Sequence, residues 1–438
     1  MSDSAGSIGA AAAMPHGSAP GRLKTLGGGA IGHFIEWYDW SIYGFLAGIF
    51  AGQMFPASDP TAALVQSFVV FAVGFIGRPI GAFVLSPFAD IYGRRAALSA
   101  SILMVGLGSL AIGLCPTYAQ IGIAAPIIIL AARLLQGFSA GGEFQIAISF
   151  LNEHAASRHR ALAASPQLIS IGLAVLAATG VASLTTQLIP PDALASWGWR
   201  VPFLLGAAMS LYGLYLRRGL SETPVFERAR QRQSLSVRGV VAALAKNPKA
   251  ALIVFVVQMS GVQYYLWMIF LPTYANLVGG LDRTAGFTGS MIATAAYCVA
   301  VPCLAYVSDR IGRKPFLIGS AACFLVFTYP LLAMLAAPLS FGTFLFVAVV
   351  GALFISLNNA VLGTAFAELF PTEARTSGIG IPYALCAAIF GGTAPLVAIW
   401  LNGLGGALYI ALYVMAICAI TVATHIFLTP ETRGRSLE

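Results

Sequence analysis

Apolar residues in this chain fall into long blocks separated by short polar stretches. Runs near twenty residues recur, the length a helix needs to cross a hydrocarbon core of about 30 Å. Twelve such spans are predicted. The first six cover 28–52, 62–87, 96–115, 121–150, 161–188 and 199–217, and the second six cover 249–277, 285–307, 315–336, 342–368, 375–402 and 406–428. The longest hydrophilic stretch, 218–248, divides them at the midpoint. The expected fold is therefore an all-α membrane protein with twelve transmembrane helices in two six-helix bundles, over 28–217 and 249–428. Residues 1–27 are expected to form a disordered tail, 218–248 a central loop and 429–438 a second tail. The Ala/Gly/Ser-rich start lacks a charged segment followed by an apolar block, so no cleaved signal peptide is expected. Met1 and Met14 are both available as starts.

Composition strengthens the membrane reading. Hydrophobic residues make up 58% and charged residues 9%, against roughly 25% charged in soluble proteins. The net charge of +8 does not indicate nucleic acid, because the basic residues gather in alternate loops. With a cytoplasmic amino terminus, inside segments hold Arg22, Lys24, Arg94, Arg95, Arg158, Arg160, Arg310, Arg313, Lys314, Arg375, Arg433, Arg435 and the central cluster Arg217, Arg218, Arg228, Arg230, Arg232, Arg238 and Lys246. Outside segments hold Arg283 and Arg200. This asymmetry places both termini inside. The six cysteines form no CxxC pair, so neither a zinc site nor a disulfide framework is expected.

The halves repeat. Asp90-Ile91-Tyr92-Gly93-Arg94-Arg95 follows the second span, and Asp309-Arg310-Ile311-Gly312-Arg313-Lys314 follows the eighth, 219 residues later. Glu153 precedes Arg160 by seven positions, as Glu368 precedes Arg375. Two repeats in register predict a duplicated six-helix unit, an architecture that rocks about a midplane site. Asp90, Gly93, Arg94 and Arg95, with Asp309, Gly312 and Arg313, are candidate conformational latches. The alternative is that the basic residues only orient the chain.

Charges inside spans are costly and usually face a partner or a cavity. Here they are Glu36, Asp39, Arg78, Arg133 and Glu143. His33, Glu36 and Asp39 are three apart and share one helix face. At 1.5 Å per residue, Asp39 lies about 17 Å from one end of its span and Arg133 about 18 Å from the opposite end of its own. Both are near midplane, which makes Asp39–Arg133 and Glu36–Arg78 candidate pairs. A carboxylate held by Arg stays ionised, and one that loses its Arg in the bilayer takes a proton. Asp39, Glu36, Arg133 and His33 are thus candidates for proton coupling. The bland alternative is that the pairs only fix helix packing.

Pro166 and Pro382 are expected to interrupt equivalent spans, and Gly391, Gly392 and Pro395 to break the eleventh again. Gln136, Gln167, Gln258, Gln263, Tyr264 and Asn358 are polar groups within spans. They are placed either to hydrogen-bond a solute or to bond one another across helices.

These residues resemble the major facilitator superfamily, and more narrowly its metabolite:proton symporters, a family of citrate, tricarballylate, ketoglutarate, shikimate and proline/betaine carriers. The resemblance spans roughly residues 27–435. It rests on 32–39 (Gly-His-Phe-Ile-Glu-Trp-Tyr-Asp), Arg78-Pro79-Ile80-Gly81, Arg133 through Glu143, Trp197 through Phe203, Glu222-Thr223-Pro224, Phe370-Pro371-Thr372 and Phe390-Gly391-Gly392. It implies proton-driven uptake and makes Arg78, Arg133 and Arg200 functional candidates. His33 stands where the family usually has Asn, and Ser86 and Ile91 depart from its loop motif. Residues 121–126 and 133–142 look most like the citrate and ketoglutarate branch. The expected activity is proton-coupled import of a small organic acid, a di- or tricarboxylate, because guanidinium groups bind carboxylates bidentately. A zwitterionic osmolyte such as proline or betaine is the alternative. Arg78, Arg133, Gln136, Gln167, Gln263, Tyr264, Asn358 and Arg200 are the candidate substrate ligands. The expected partners are substrate, protons and the lipid bilayer, with no cofactor, metal or nucleic acid, in a monomer of the bacterial inner membrane. No enzyme motif such as HExxH or GxSxG is present.

Overall fold

The computed structural model describes residues 19–56, 59–92, 94–142, 144, 148, 157–218, 247–370 and 375–435. Among the described residues the chain makes twelve long helical passes and no strand. The first six are α1 (Ala19–Met54), α2 (Pro60–Tyr92), α3 (Arg94–Leu114), α4 (Ala124–Ala140), α5 (Arg160–Leu188) and α6 (Val201–Arg218). The second six begin with α7 (Pro248–Gly279), α8 (Arg283–Ile311), α9 (Lys314–Ala333) and α10 (Phe341–Leu369). Helix α11 starts as Arg375–Cys386, passes through a π-helical turn at Ala387–Gly391 and resumes at Ala394. Gly405 and Gly406 then break the helical path, and residues 407–427 form α12. Gly406 has φ +63°, a left-handed angle that suits glycine.

The outer flanks are apolar. Leu211, Val299, Val326 and Trp400 are exposed, and such side chains are stable there only against lipid. Helices α2, α5 and α7 to α10, and the continuous stretch Gly378–Phe427 that holds most of α11 and all of α12, are long and apolar enough to cross a membrane. Lipid gives helices no hydrophobic reason to associate, so contact depends on close backbone approach and interhelical hydrogen bonds. Both are used here. Gly74, Gly77 and Gly81 of α2 lie against Gly137 of α4 and Gly141 just beyond its end, so closely that a Cβ at Gly137 would overlap the Gly74 carbonyl. The hydroxyl of Tyr38 donates to the Pro202 carbonyl at 3.0 Å, tying α1 to α6, and that of Tyr43 donates to Ser67 at 3.0 Å, tying α1 to α2. In the second bundle Trp267 of α7 fills the space left by Gly351 of α10.

The prolines behave differently from one another, which corrects the expectation of paired interruptions. Helix α5 runs unbroken through Pro166. Pro166 deprives the Leu162 carbonyl of its usual N–H, and the Ser165 hydroxyl donates to that carbonyl at 2.8 Å. Pro382 instead precedes the π-helical turn of α11. A second π-helical turn, Tyr265–Phe270, interrupts α7. Extra residues of this kind rotate the following side chains and are frequent at functional sites.

The glycine seam yields a stability prediction. Gly137→Val should lower the stability of the first bundle by about 1–3 kcal/mol or more, through overpacking. Gly52→Ala, which meets no atom within 4 Å, should be neutral or slightly stabilising. Thermal unfolding of the two purified variants in one detergent checks this, and equal melting temperatures would contradict it.

Candidate functional site

Three positions of α1 spaced by three residues aim a row of polar groups into the first bundle. Asp39 is 1% exposed and Arg133 of α4 is 0% exposed. Arg133 Nη1 lies 3.2 Å from Asp39 Oδ2, and Ser109 of α3 donates to Asp39 Oδ1. The Arg133 guanidinium carbon sits 3.9 Å from the Tyr43 ring centroid and 5.1 Å from that of Trp40. Neither charge would be tolerated alone, since removing one member of a buried pair costs about 3–5 kcal/mol.

One turn along the same face, Arg78 Nη2 of α2 lies 3.5 Å from Glu36 Oε1, and His33 Nδ1 lies 3.9 Å from Glu36 Oε2. Arg78 stacks on Phe75 at 4.4 Å and Trp40 at 4.7 Å. Its Nε has no hydrogen-bond acceptor, while the guanidinium also bonds the Tyr265 hydroxyl. The two pairs inferred from helical rise are therefore both formed, but their surroundings differ. Arg133 is sealed in the first bundle, whereas His33, Glu36 and Arg78 border a cavity closed by Phe144, Tyr383 and Trp37.

That cavity adjoins a second one between the bundles, lined by Trp37, Leu168, Gln258, Ser260, Tyr264, Tyr265 and Asn358 among others. A third, inside the second bundle, shares Ser260, Asn358 and Asn359 with it and reaches Gln263 and Thr421. Helix α1 meets α7 here, with the Trp37 ring 5.4 Å from Tyr264 and 6.2 Å from Tyr265. The Phe144 ring stacks on Tyr383 at 4.4 Å.

Of the candidate ligands, Arg78, Gln263, Tyr264 and Asn358 border these cavities. Four do not, which corrects their assignment as ligands in this conformation. Arg133 is engaged by Asp39. Gln136 donates to Ser109 at 3.3 Å and so supports the same pair. Gln167 donates to the Phe144 carbonyl at 3.1 Å. Arg200 lies at the far end of the bundle, where it donates to the carbonyls of Gly113 and Cys115 and stacks on Trp199. A cation at the end of α3 complements the negative end of its dipole. Ser109, Trp37, Tyr265, Tyr383 and Asn359 join the site unforeseen. The adjacent amides Asn358-Asn359 and the tyrosine pair Tyr264-Tyr265 were the available sequence signals.

A second cluster closes the end that carries the carboxy-terminal segment. Arg160 at the start of α5 pairs with Glu368 of α10 at 2.9 Å, across the two bundles. Glu368 also holds Arg313 at 3.4 Å and accepts from Thr432 at 2.6 Å. Arg313 pairs with Asp309 at 2.8 Å. Both carboxylate oxygens of Asp309 accept from the α5 backbone, at Ala161 and Leu162, each at 3.0 Å. These N–H groups have no partner within their own helix. Gly312 takes φ +112° beside Glu431. Asp309, Gly312 and Arg313 are thus brought together. Gly93 and the side chains of Asp90, Arg94 and Arg95 lie outside the described residues, as do Glu143, Glu153 and the Arg375 side chain. At the opposite end Arg283 donates to the Gly48 carbonyl at 3.1 Å, Thr186 and Thr284 lie 3.3 Å apart, and Phe45 packs on Phe287. The bundles touch at both ends, and the cavity lined by Trp37, Leu168, Tyr264 and Asn358 lies between these contacts.

Burial pushes the Glu431 carboxyl up, but N–H donors from Arg313, Arg433, Lys314 and Thr432 outweigh it and hold the group below its ordinary value.

Residues 29–252 match the family described as sugar (and other) transporters, and residues 282–438 match the major facilitator superfamily. The chain is 33% identical to the inner membrane metabolite transport protein YhjE of Escherichia coli, over 95% of this chain and 96% of that one. It is 33% identical to the citrate-proton symporter of Salmonella typhi, over 89% and 91%. Identity to a putative proline/betaine transporter of Staphylococcus aureus is 32%, over 95% and 90%. The crystal structure of a D-xylose-proton symporter superposes with a TM-score of 0.70 at 17% identity, over 95% of this chain and all of the other, a likeness of fold.

Two outcomes follow from the end cluster. Glu368→Gln leaves Arg160 and Arg313 without their shared anion, and breaking such a pair costs about 3–5 kcal/mol. This end should open more often, and a cysteine placed at Ala164 should react faster with a water-soluble maleimide; an unchanged rate would contradict the latch role. The lowered Glu431 carboxyl contributes stability above about pH 4.3, its unfolded value, and loses it as pH falls through the lower folded value. The melting-temperature gap between wild type and Glu431→Gln should therefore shrink on acidification.

Proposed function

Because the chain belongs to the major facilitator superfamily, we propose that it imports a small organic acid with protons across the bacterial inner membrane by alternating access. The observation that carries this reading is the pair of buried carboxylate–arginine contacts, Asp39–Arg133 and Glu36–Arg78, beside cavities built by both bundles. The basic loops support a cytoplasmic position for the end with the Arg160–Glu368 contact. The protein sits in the bilayer as a monomer, with the end contacts as alternating gates.

Proton coupling follows from the cost of an unpaired charge. Arg133 and Ser109 hold Asp39 in this conformation. A shift of α1 against α4 that lengthens this contact leaves a buried anion, and protonation removes its charge. Glu36 works in the same way against Arg78, with His33 beside it as a further proton acceptor. Asp39 couples through helix motion because it is sealed from the cavity, and Glu36 couples through substrate because it borders it. One observation favours a second reading, transport of a zwitterion such as betaine. The rings of Trp37, Phe144, Tyr264, Tyr265 and Tyr383 line the cavities, and such rings attract quaternary ammonium groups.

Proteoliposomes test the proposal. Radiolabelled organic acid should accumulate above its bath concentration when the outside is acidic, and equilibrate without accumulating when the gradient is collapsed. Gradient-independent equilibration under both conditions would end the symport reading. Asp39→Asn should abolish accumulation while leaving substrate exchange measurable, and undiminished accumulation would remove Asp39 from coupling.

A further inference from the structure

Both buried carboxylate–arginine pairs lie inside one bundle. Asp39 and Glu36 are on α1, Arg133 is on α4 and Arg78 is on α2. Bundles that rock as rigid bodies leave such contacts intact. Rocking can act on a pair only if a group of the other bundle reaches it. Tyr265 of α7 does so, because its hydroxyl accepts a hydrogen bond from the Arg78 guanidinium. Tyr265 is 2% exposed, and its ring sits among side chains of the first bundle. It lies nearly parallel to Trp37 of α1, with centroids 6.2 Å apart and 16° between the planes. It meets Phe75 of α2 edge-on at 5.2 Å and Phe71 at 6.4 Å. On its own side α11 makes room for it, since a Cβ at Gly391 would stand 2.7 Å from Tyr265 Cε2. Tyr265 opens the π-helical turn of α7, and Gly391 closes that of α11.

Resting on the proton-symport reading above, we propose that Tyr265 is the positioning residue that ties the charge of Glu36 to the contact between the bundles. Arg78 has an acceptor in each bundle, the Glu36 carboxylate in its own and the Tyr265 phenol in the other. While Glu36 is ionised, the carboxylate meets the guanidinium and loss of the phenol costs little. A protonated Glu36 is a weaker acceptor, so the phenol carries more of a buried cation, and parting the bundles then leaves that cation poorly met. The proton on Glu36 thus decides how firmly the bundles hold at midplane. Linkage makes the effect mutual, so parting the bundles changes how readily Glu36 gives up its proton. The charged and titratable groups described around Glu36 are His33 of α1, Arg78 of α2, Tyr265 of α7 and Tyr383 of α11. His33 and Arg78 travel with Glu36. Of the two phenols on the other bundle, Tyr265 is the one that bonds the pair's arginine.

A double-mutant cycle on the full-length protein in lipid nanodiscs, with no substrate added, tests the tie. The protein carries Ala164→Cys, and labelling of that cysteine by a water-soluble maleimide is followed by mass spectrometry. Tyr265→Phe keeps the ring and removes the acceptor, and it should speed labelling roughly threefold or more. In a Glu36→Gln background no carboxylate competes for Arg78, and the same change should have an effect at least about threefold larger. Gly391→Ala crowds the ring but keeps the hydroxyl. It should act like Tyr265→Phe, and it decides the matter if that variant is unstable. Tyr274→Phe removes another phenol bond of α7, to Asn402 at 3.1 Å within the second bundle. Its effect should be the same in both backgrounds, as that of a merely structural tyrosine would be. Equal effects of Tyr265→Phe in the two backgrounds overturn this inference and leave proton symport standing, because wild-type accumulation in proteoliposomes judges that reading separately. A wild type that accumulates nothing there ends both.

Discussion

A charge in the middle of a bilayer has to find its partner inside the protein, and this requirement organises the molecule. Asp39 and Arg133 depend on each other, because each would be expelled or neutralised alone. Their pairing fixes α1 against α4. The Ser109–Gln136 contact supports it from α3, and Gly74 lets α2 approach until its space is bounded by the Arg133 backbone. Much of the first bundle can be read as scaffolding around one sealed ion pair.

The second pair differs because it is not sealed. Glu36 and Arg78 sit one helical turn away, at the wall of a cavity, and Arg78 is only partly satisfied there. Two arginines with similar sequence contexts thus have different chemical freedom. The sealed one is held by its own helices, and the open one faces a cavity. The second bundle answers with neutral groups, amides and phenols, and with the π-helical turns of α7 and α11 that adjoin Tyr264 and Tyr383.

The membrane class and the twelve passes were legible because run length alone measures a bilayer. The two ion pairs were legible because helical rise turns position into depth, and depth matches partners. Arg200 was misread for the same reason that made the others readable. A basic residue near a span looks functional in one dimension, and only the packed structure shows it turned toward the carbonyls at the end of α3. Gln136 and Gln167 were hidden in the same way, since a buried amide bonding a neighbour has the same sequence as one facing a solute. Pro166 looked like a break, but the adjacent Ser165 repairs it locally. The repeat of Glu and Arg seven apart in each half was visible, yet Glu368 meets Arg160 of the other half, which no offset within one half encodes.

That crossed contact makes the closure lopsided. Glu368 is held by Arg313 and Thr432 of its own bundle as well as by Arg160 of the other. When the bundles part, the second bundle keeps a carboxylate that is still anchored and oriented, while Arg160 retains its contact to the Arg435 carbonyl only if the carboxy-terminal segment travels with it. The socket therefore persists after the plug is withdrawn. Separation would strand one cation, not two opposite charges, and reclosure would meet a receptor already in shape.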